Sequence, residues 1–259
     1  MVLSNDQFKT SSARWWVLFV YNFAEAMQGL MWMSYSSVPQ ASKDFLHVND
    51  SMLNWILNLG PISFVLCSAG AAHILNRPGG LRSAMLIGAS MLFTSSVLRC
   101  IPPFFYSPDQ RAEDHTGLLW WVLIAQFINA AAATLFEPAP ALLSQTWFPP
   151  HERALATGLA RAGNAGGRAI GFLLGPAMVS SAVDMPLFLY VHVFAASILI
   201  ISAIAYYPPA PPSPPSRSAQ VFGAGAAGVT ETGSENQSHL ESGLIGGLLG
   251  SEEREHDDE

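Results

Sequence analysis

Charge is scarce in this chain: Asp, Glu, Lys and Arg make up only 12% of its 259 residues, against 50% hydrophobic ones. So little charge cannot coat a soluble domain with polar surface, which makes the bilayer the first solvent to consider. The net charge of −7 comes from the tail, where residues 208–259 carry nine acids and two arginines, while residues 1–207 carry ten of each sign. A neutral body with an acidic tail offers no footing for a nucleic-acid partner. Cysteine is nearly missing too. Cys67 and Cys100 fall in or at the end of apolar runs, which excludes a disulfide framework. Metal-ligand spacing is lacking: His73 and His192 stand alone, so a hydrogen-bonded packing role is expected of each, with no metal and no cofactor. A cleavable signal peptide is also missing, because the run starting at Arg14 is too long and lacks a small-residue cleavage site.

What the sequence does have is long apolar stretches. A helix needs about 20 such residues to cross the hydrocarbon core, and six runs qualify: 14–37, 52–75, 82–102, 118–140, 154–182 and 186–207. The expected fold class is an all-α membrane protein with six transmembrane helices. Lys9, Arg14, Arg77, Arg82, Arg153 and Arg217 flank the runs on one side, and Lys43 and Arg111 occupy the other. The positive-inside bias then places both termini in the cytosol. The expected domains are a cytosolic segment 1–13, a six-helix lobe 14–207 and a cytosolic tail 208–259. Pro208-Pro209-Ala210-Pro211-Pro212-Ser213-Pro214-Pro215 cannot continue a helix and favours an extended spacer. Beyond it, residues 216–259 have too little apolar mass to offset ordering entropy and are expected to be disordered. Asn49-Asp50-Ser51 is a glycosylation sequon in the first outward loop.

The fifth run holds the sharpest pattern: Gly163, Gly167, Gly171 and Gly175 recur every four residues, followed by Pro176. That spacing puts the glycines on one helix face, where a neighbouring helix can come close or a pliable helix can serve an interface between rocking bundles. Ionisable groups inside such runs are costly and mark a wet path or a paired site. Glu25, Arg99, Glu137, Arg161 and Arg168 are the candidates. Glu25 shares a face with Gly29 and Trp32, so an acid and an aromatic ring look into the same space. Together they could hold a cation by charge and ring-face attraction; alternatively Glu25 pairs with Arg168 in the core. Asn22, Gln28 and Tyr35 complete the binding candidates. Glu137, in Glu137-Pro138-Ala139-Pro140, could couple transport to protons, or cap locally or bridge to Arg153 or Arg161. Trp15-Trp16, Trp120-Trp121 and Trp147 stand at run ends, where interfacial anchoring is expected.

The order of these elements resembles the amino-terminal lobe of the major facilitator superfamily. Asn76-Arg77-Pro78-Gly79-Gly80-Leu81-Arg82 is similar to its charged gating loop, with Asn76 in place of the acid and one residue inserted. Gly171 to Pro176 is similar to its fifth-helix glycine-proline signature. Further pieces resemble solute carrier family 49, the feline leukaemia virus subgroup C receptor family. They are Trp32-Met33-Ser34-Tyr35-Ser36-Ser37, Leu98-Arg99-Cys100-Ile101-Pro102, Thr146-Trp147-Phe148, Glu152-Arg153-Ala154 and the exit Tyr207-Pro208-Pro209. The resemblance implies that Trp32 belongs to a cage for a quaternary amine, while the glutamine used by choline-transporting members is replaced by Ala133. It implies a transporter of a small organic solute, amine-like or haem-like, working by alternating access with a second lobe or a second copy in a plasma or lysosomal membrane. A truncated, non-transporting partner protein is the alternative. Gly88-Ala89-Ser90 with His192 resembles an intramembrane rhomboid protease only in part, since Met91 replaces the glycine after the serine, and no enzyme is expected.

Overall fold

A computed structural model describes residues 9–105, 115–216 and 218–220, all of whose regular structure is helical. The helices are α1 (Ala13–Met33), α2 (Pro39–Leu46), α3 (Asp50–Leu75), α4 (Gly80–Phe105), α5 (His115–Phe136), α6 (Ala139–Trp147), α7 (Arg153–Met178) and α8 (Met185–Ala205). Asn49 caps α3, its Oδ1 accepting from the Met52 amide at 2.9 Å. The turn from α3 to α4 needs two glycines for different reasons. Gly79 has φ +71, a left-handed backbone, and a Cβ at Gly80 would lie 2.4 Å from the Ile74 carbonyl oxygen.

Three of the expected runs break early. The first ends at Met33 rather than 37, where the hydroxyls of Ser34, Ser36 and Ser37 donate to the carbonyls of Met31, Met33 and Ser34. Serine hydroxyls bonded in this way compete with the helix ladder, and Pro39 then starts the short α2. The fourth run ends at Phe136, with Glu137 and Pro138 in a turn before α6. The fifth stops at Met178, four residues short of the expected limit. Among the described residues, four helices are long and apolar enough to cross a membrane: Asp50–Leu75, Gly80–Phe104, Leu119–Phe136 and the stretch Ala182–Ala205. The first and fifth runs fall outside that group because they carry the polar residues: Asn22, Glu25 and Gln28 on α1, and Arg161, Asn164 and Arg168 on α7. Residues 106–114, with Arg111, and the expected disordered tail beyond 220 lie outside the described residues, as does Arg217.

Helix α1 packs chiefly on α7, α4 packs on α5 and α8, and α3 packs on α5. The α1–α7 contact is the closest, because the glycines of α7 face it. A Cβ on Gly167 would stand 2.0 Å from the Ala26 carbonyl oxygen, one on Gly163 2.7 Å from Asn22 Oδ1, one on Gly175 2.2 Å from Ser37 Oγ, and one on Gly171 3.3 Å from Met33 Cβ. Two backbones can touch only where side chains are missing. The Trp16 Nε1 donates to the Tyr206 carbonyl at 2.8 Å, so the start of α1 and the end of α8 share one end of the bundle. There Arg14 pairs with Glu152 at 3.1 Å, and Arg153 donates to Ser216 Oγ at 2.8 Å. Trp147 is no interfacial anchor: it is 1% exposed, inside the main core. His192 is equally buried and stacks edge-on against Phe188 at 4.5 Å. Its expected hydrogen bond is missing, for neither ring nitrogen meets a partner among the described residues.

Candidate solute site

Polar side chains collect where α1 meets α7 and the α5–α6 turn. Two cavities share Glu137 and Arg168 there. One, of about 270 Å³, is lined by Gln28 and Trp32 from α1, Gly60 from α3, Ala133 from α5, and the shared pair. The other, of about 350 Å³, adds Glu25, Arg161 and Asn164. A larger hollow of about 590 Å³ opens beside them toward Asn76, Thr134 and Gln145, again with Glu137 in its wall.

Each side chain has a physical reason for its place. The Trp32 indole rests on α3 because Gly60 offers no side chain: a Cβ there would lie 2.3 Å from Trp32 Cη2. Gln28, 3% exposed, accepts from Asn164 Nδ2 at 2.6 Å, which ties α1 to α7 beneath the indole. The end of α1 is held from α4. Arg99 is fully buried and donates through Nη1 to the Met31 carbonyl at 2.7 Å and to Ser34 Oγ at 2.9 Å. Its Nη2 donates to Gln126 Oε1 on α5. A guanidinium at a helix C-terminus satisfies orphan carbonyls and suits the negative end of the helix dipole. Arg99 therefore holds the Met31 carbonyl and the Ser34 hydroxyl, one on either side of Trp32.

The sequence candidates divide accordingly. Glu137 and Arg168 line both cavities, Gln28 and Trp32 only the smaller and Glu25 only the other, so the acid and the ring expected to look into one space do not line the same cavity. Asn22 points toward Gly163, with its amide donating to the Leu18 carbonyl at 3.1 Å, and lines neither. Tyr35 sits past the end of α1, 1% exposed, with the Arg99 guanidinium 5.5 Å from its ring centroid. Glu25 bonds to Tyr21, and among the described residues neither Glu25 nor Glu137 forms an ion pair with Arg153, Arg161 or Arg168. In the gating loop, Asn76 closes α3, and Arg77 Nη2 stands 2.6 Å from His73 Nε2. Gly80 begins α4, and Arg82, two residues on, is exposed. Pro176 lies in the last turn of α7. Sequence reasoning passed over Tyr21, Asn164, Gly60 and Gln126. Only the Gly60-Pro61 dipeptide inside an apolar run gave a local signal for any of them.

A bundle of long apolar helices around cavities lined by charged side chains is the build of a multi-pass membrane protein. The sequence matches the family model of the Major Facilitator Superfamily over residues 15–247, and the chain belongs to that superfamily. It is similar to a solute carrier family 49 member 4 homolog of Xenopus tropicalis, 31% identical over 166 residues, which cover 64% of this chain and 34% of that protein. A solute carrier family 49 member A3 of Danio rerio is 29% identical over 217 residues, 82% of this chain and 44% of that protein. The choline/ethanolamine transporter FLVCR1 of Mus musculus is 26% identical over 169 residues, 65% and 28% of the two chains. The match thus spans less than half the length of each of these relatives.

Proposed function

We propose that the chain is a solute-binding lobe of a major facilitator transporter, with α1, α3, α4, α5, α7 and α8 as six spans and both termini cytosolic. The convergence of Trp32, Gln28, Glu137 and Arg168 on one cavity carries this reading. At about 270 Å³, that cavity lies just below the roughly 300–1,000 Å³ usual for ligand pockets, which suits a small amine better than haem. The indole supplies a ring face and Glu137 a negative charge, the two features that hold an alkylammonium group. Arg168 balances the site when no cation is present and offers a donor to a hydroxyl or carboxylate on the same solute.

Helices α3 and α7 carry exposed apolar residues, among them Val65, Leu66 and Leu173. They would face lipid or a second lobe, so alternating access would rock this lobe against that partner, supplied by further chain or a second copy. The support is the superfamily membership and the likeness to a protein named as a choline/ethanolamine transporter. The test is uptake of radiolabelled choline and ethanolamine into vesicles containing the chain. Accumulation above empty vesicles, lost in Trp32→Ala, is expected. Equal uptake by the two chains removes Trp32 from the site, and no uptake by either points to the non-transporting alternative.

A further inference from the structure

The chain that leaves α8 lies against one end of the bundle. Pro209 passes the α3–α4 turn, its Cβ 3.6 Å from where a Cβ on Gly79 would stand. Further on, Ser216 reaches the start of α7, where its hydroxyl accepts from Arg153 Nη2 at 2.8 Å. Ser218 Oγ accepts from the same nitrogen at 3.0 Å and lies 3.0 Å from Ser216 Oγ. Ser216 is 9% exposed and also accepts from the Ala219 amide at 3.2 Å, whereas Ser218 is open to solvent.

The guanidinium is held toward these serines from behind, because Arg153 Nε donates to the Phe148 carbonyl at 3.1 Å. Its charge has no acid to answer it. Among the described residues Arg153 forms no ion pair, and the neighbouring Glu152 is taken by Arg14 at 3.1 Å. A neutral hydroxyl is a weak partner for a guanidinium. A phosphate meets the planar fork with opposite charge and paired oxygens.

We propose that Ser218 is a phosphorylation site whose phosphate is gripped by Arg153, fastening the chain beyond α8 across this end of the bundle. The site rests on the reading above that this end faces the cytosol, where protein-serine kinases and ATP are found. In the transfer, the bond from the terminal phosphorus of ATP to its bridging oxygen breaks and a bond to Ser218 Oγ forms. The hydroxyl proton passes to the kinase's base, and ADP leaves. Ser218 is the acceptor because it is exposed, while Ser216 is buried against Arg153. The product carries roughly −1.5 to −2 charge and three acceptor oxygens, beside the one partner suited to it. Fastened there, the segment ties the exit of α8 and the α3–α4 turn to the start of α7. The phosphate thereby sets how firmly the three move together.

The grip is tested on the whole chain in lipid nanodiscs, with phosphoserine placed at position 218 during synthesis, so that the outcome does not depend on which way the lobe faces. Followed by phosphorus NMR, its second ionisation should fall about half a pH unit below that of a free phosphoserine peptide, the effect of one exposed charge pair. The Ala219 and Gln220 amides, both bonded to Ser216, should exchange about threefold more slowly than in the unmodified chain. Both effects should vanish in Arg153→Gln. A phosphate that titrates as in the free peptide, or amides that exchange no more slowly, would overturn the grip. Chain recovered from cells should carry phosphate on Ser218 by mass spectrometry. If it carries none, Ser218→Cys, with Cys67 and Cys100 replaced by alanine, shows which statement fails. Labelling by an impermeant maleimide only after digitonin opens the cytosol would place residue 218 there and overturn the phosphorylation site. Any other pattern would overturn the cytosolic reading, and the site with it.

Discussion

Replacing Gly60 with alanine acts on the pocket where Trp32 rests on α3. The added Cβ would stand 2.3 Å from Trp32 Cη2 and 2.8 Å from Cζ2, well inside the contact of about 3.5–4.0 Å that carbon atoms prefer. What it meets is the rim of a ring, and Trp32 is only partly buried, so the indole can swing off α3 while both backbones stay in place. Alanine is otherwise favoured over glycine in a helix interior by about 0.5–1 kcal/mol, a gain that the following Pro61 trims because it restricts the residue before it. Stability should therefore hold or rise slightly while binding weakens. A cation over a ring face is worth about 0.5–2 kcal/mol, and at about 1.4 kcal/mol per tenfold its loss weakens affinity roughly 2- to 30-fold. The assay is equilibrium binding of tritiated choline and ethanolamine to the chain in nanodiscs, with thermal unfolding beside it. Unchanged affinity, or a loss of affinity accompanied by a lower Tm, would refute the reasoning.

Gly167→Ala should behave in the opposite way, because its Cβ would meet the Ala26 backbone at 2.0 Å and no side chain can yield. A loss of about 1–3 kcal/mol is expected from such overpacking, read as a lower unfolding midpoint and a wider α1–α7 spacing in spin-label distances. Arg99→Ala strips donors from the Met31 carbonyl, Ser34 and Gln126. At about 1.5–3 kcal/mol per hydrogen bond to a charged group, it should lower thermal stability and loosen Trp32, whereas a midpoint equal to wild type would show that the bracket is idle. Gly79→Ala forces a side chain into a left-handed backbone at φ +71. About 1–2 kcal/mol is at stake there, and proteolysis of the α3–α4 turn should accelerate while choline binding stays the same.

Runs 52–75, 82–102 and 186–207 were legible because hydrophobicity carries such helices, and the serines in them that bond back to carbonyls, among them Ser90, Ser96, Ser197 and Ser202, are spaced too far apart to break them. The ends of the first and fourth runs were harder to read. At Ser34–Ser37 several individually weak hydroxyl bonds add up to a break, and at Glu137-Pro138 the apolar run continues to residue 140, past the turn that interrupts the helix. In the site, Glu25, Gln28 and Trp32 could be placed on one side of α1 from spacing, since helical periodicity is a local property. Their partners are not local. Asn164 and Gly60 reach α1 through contacts between helices far apart in sequence, and Phe136 meets Tyr21 only because a helix ends there. Trp147 shows the same limit from the other side: a tryptophan at a helix end looks alike whether it anchors in lipid headgroups or, as here, fills the core.

The central claim is that a wet, cation-accepting pocket lies under Trp32 inside a membrane-embedded bundle. Ala133, partly buried in the wall of that pocket, gives direct access to it. With Cys67 and Cys100 replaced by alanine, Ala133→Cys in intact vesicles can be treated with a thiol reagent that carries a trimethylammonium group. Rapid modification, slowed by choline and by Trp32→Ala, is the expected result. A cysteine that stays unreactive until the protein is unfolded would mean that the pocket is closed to cations, and the account would fail.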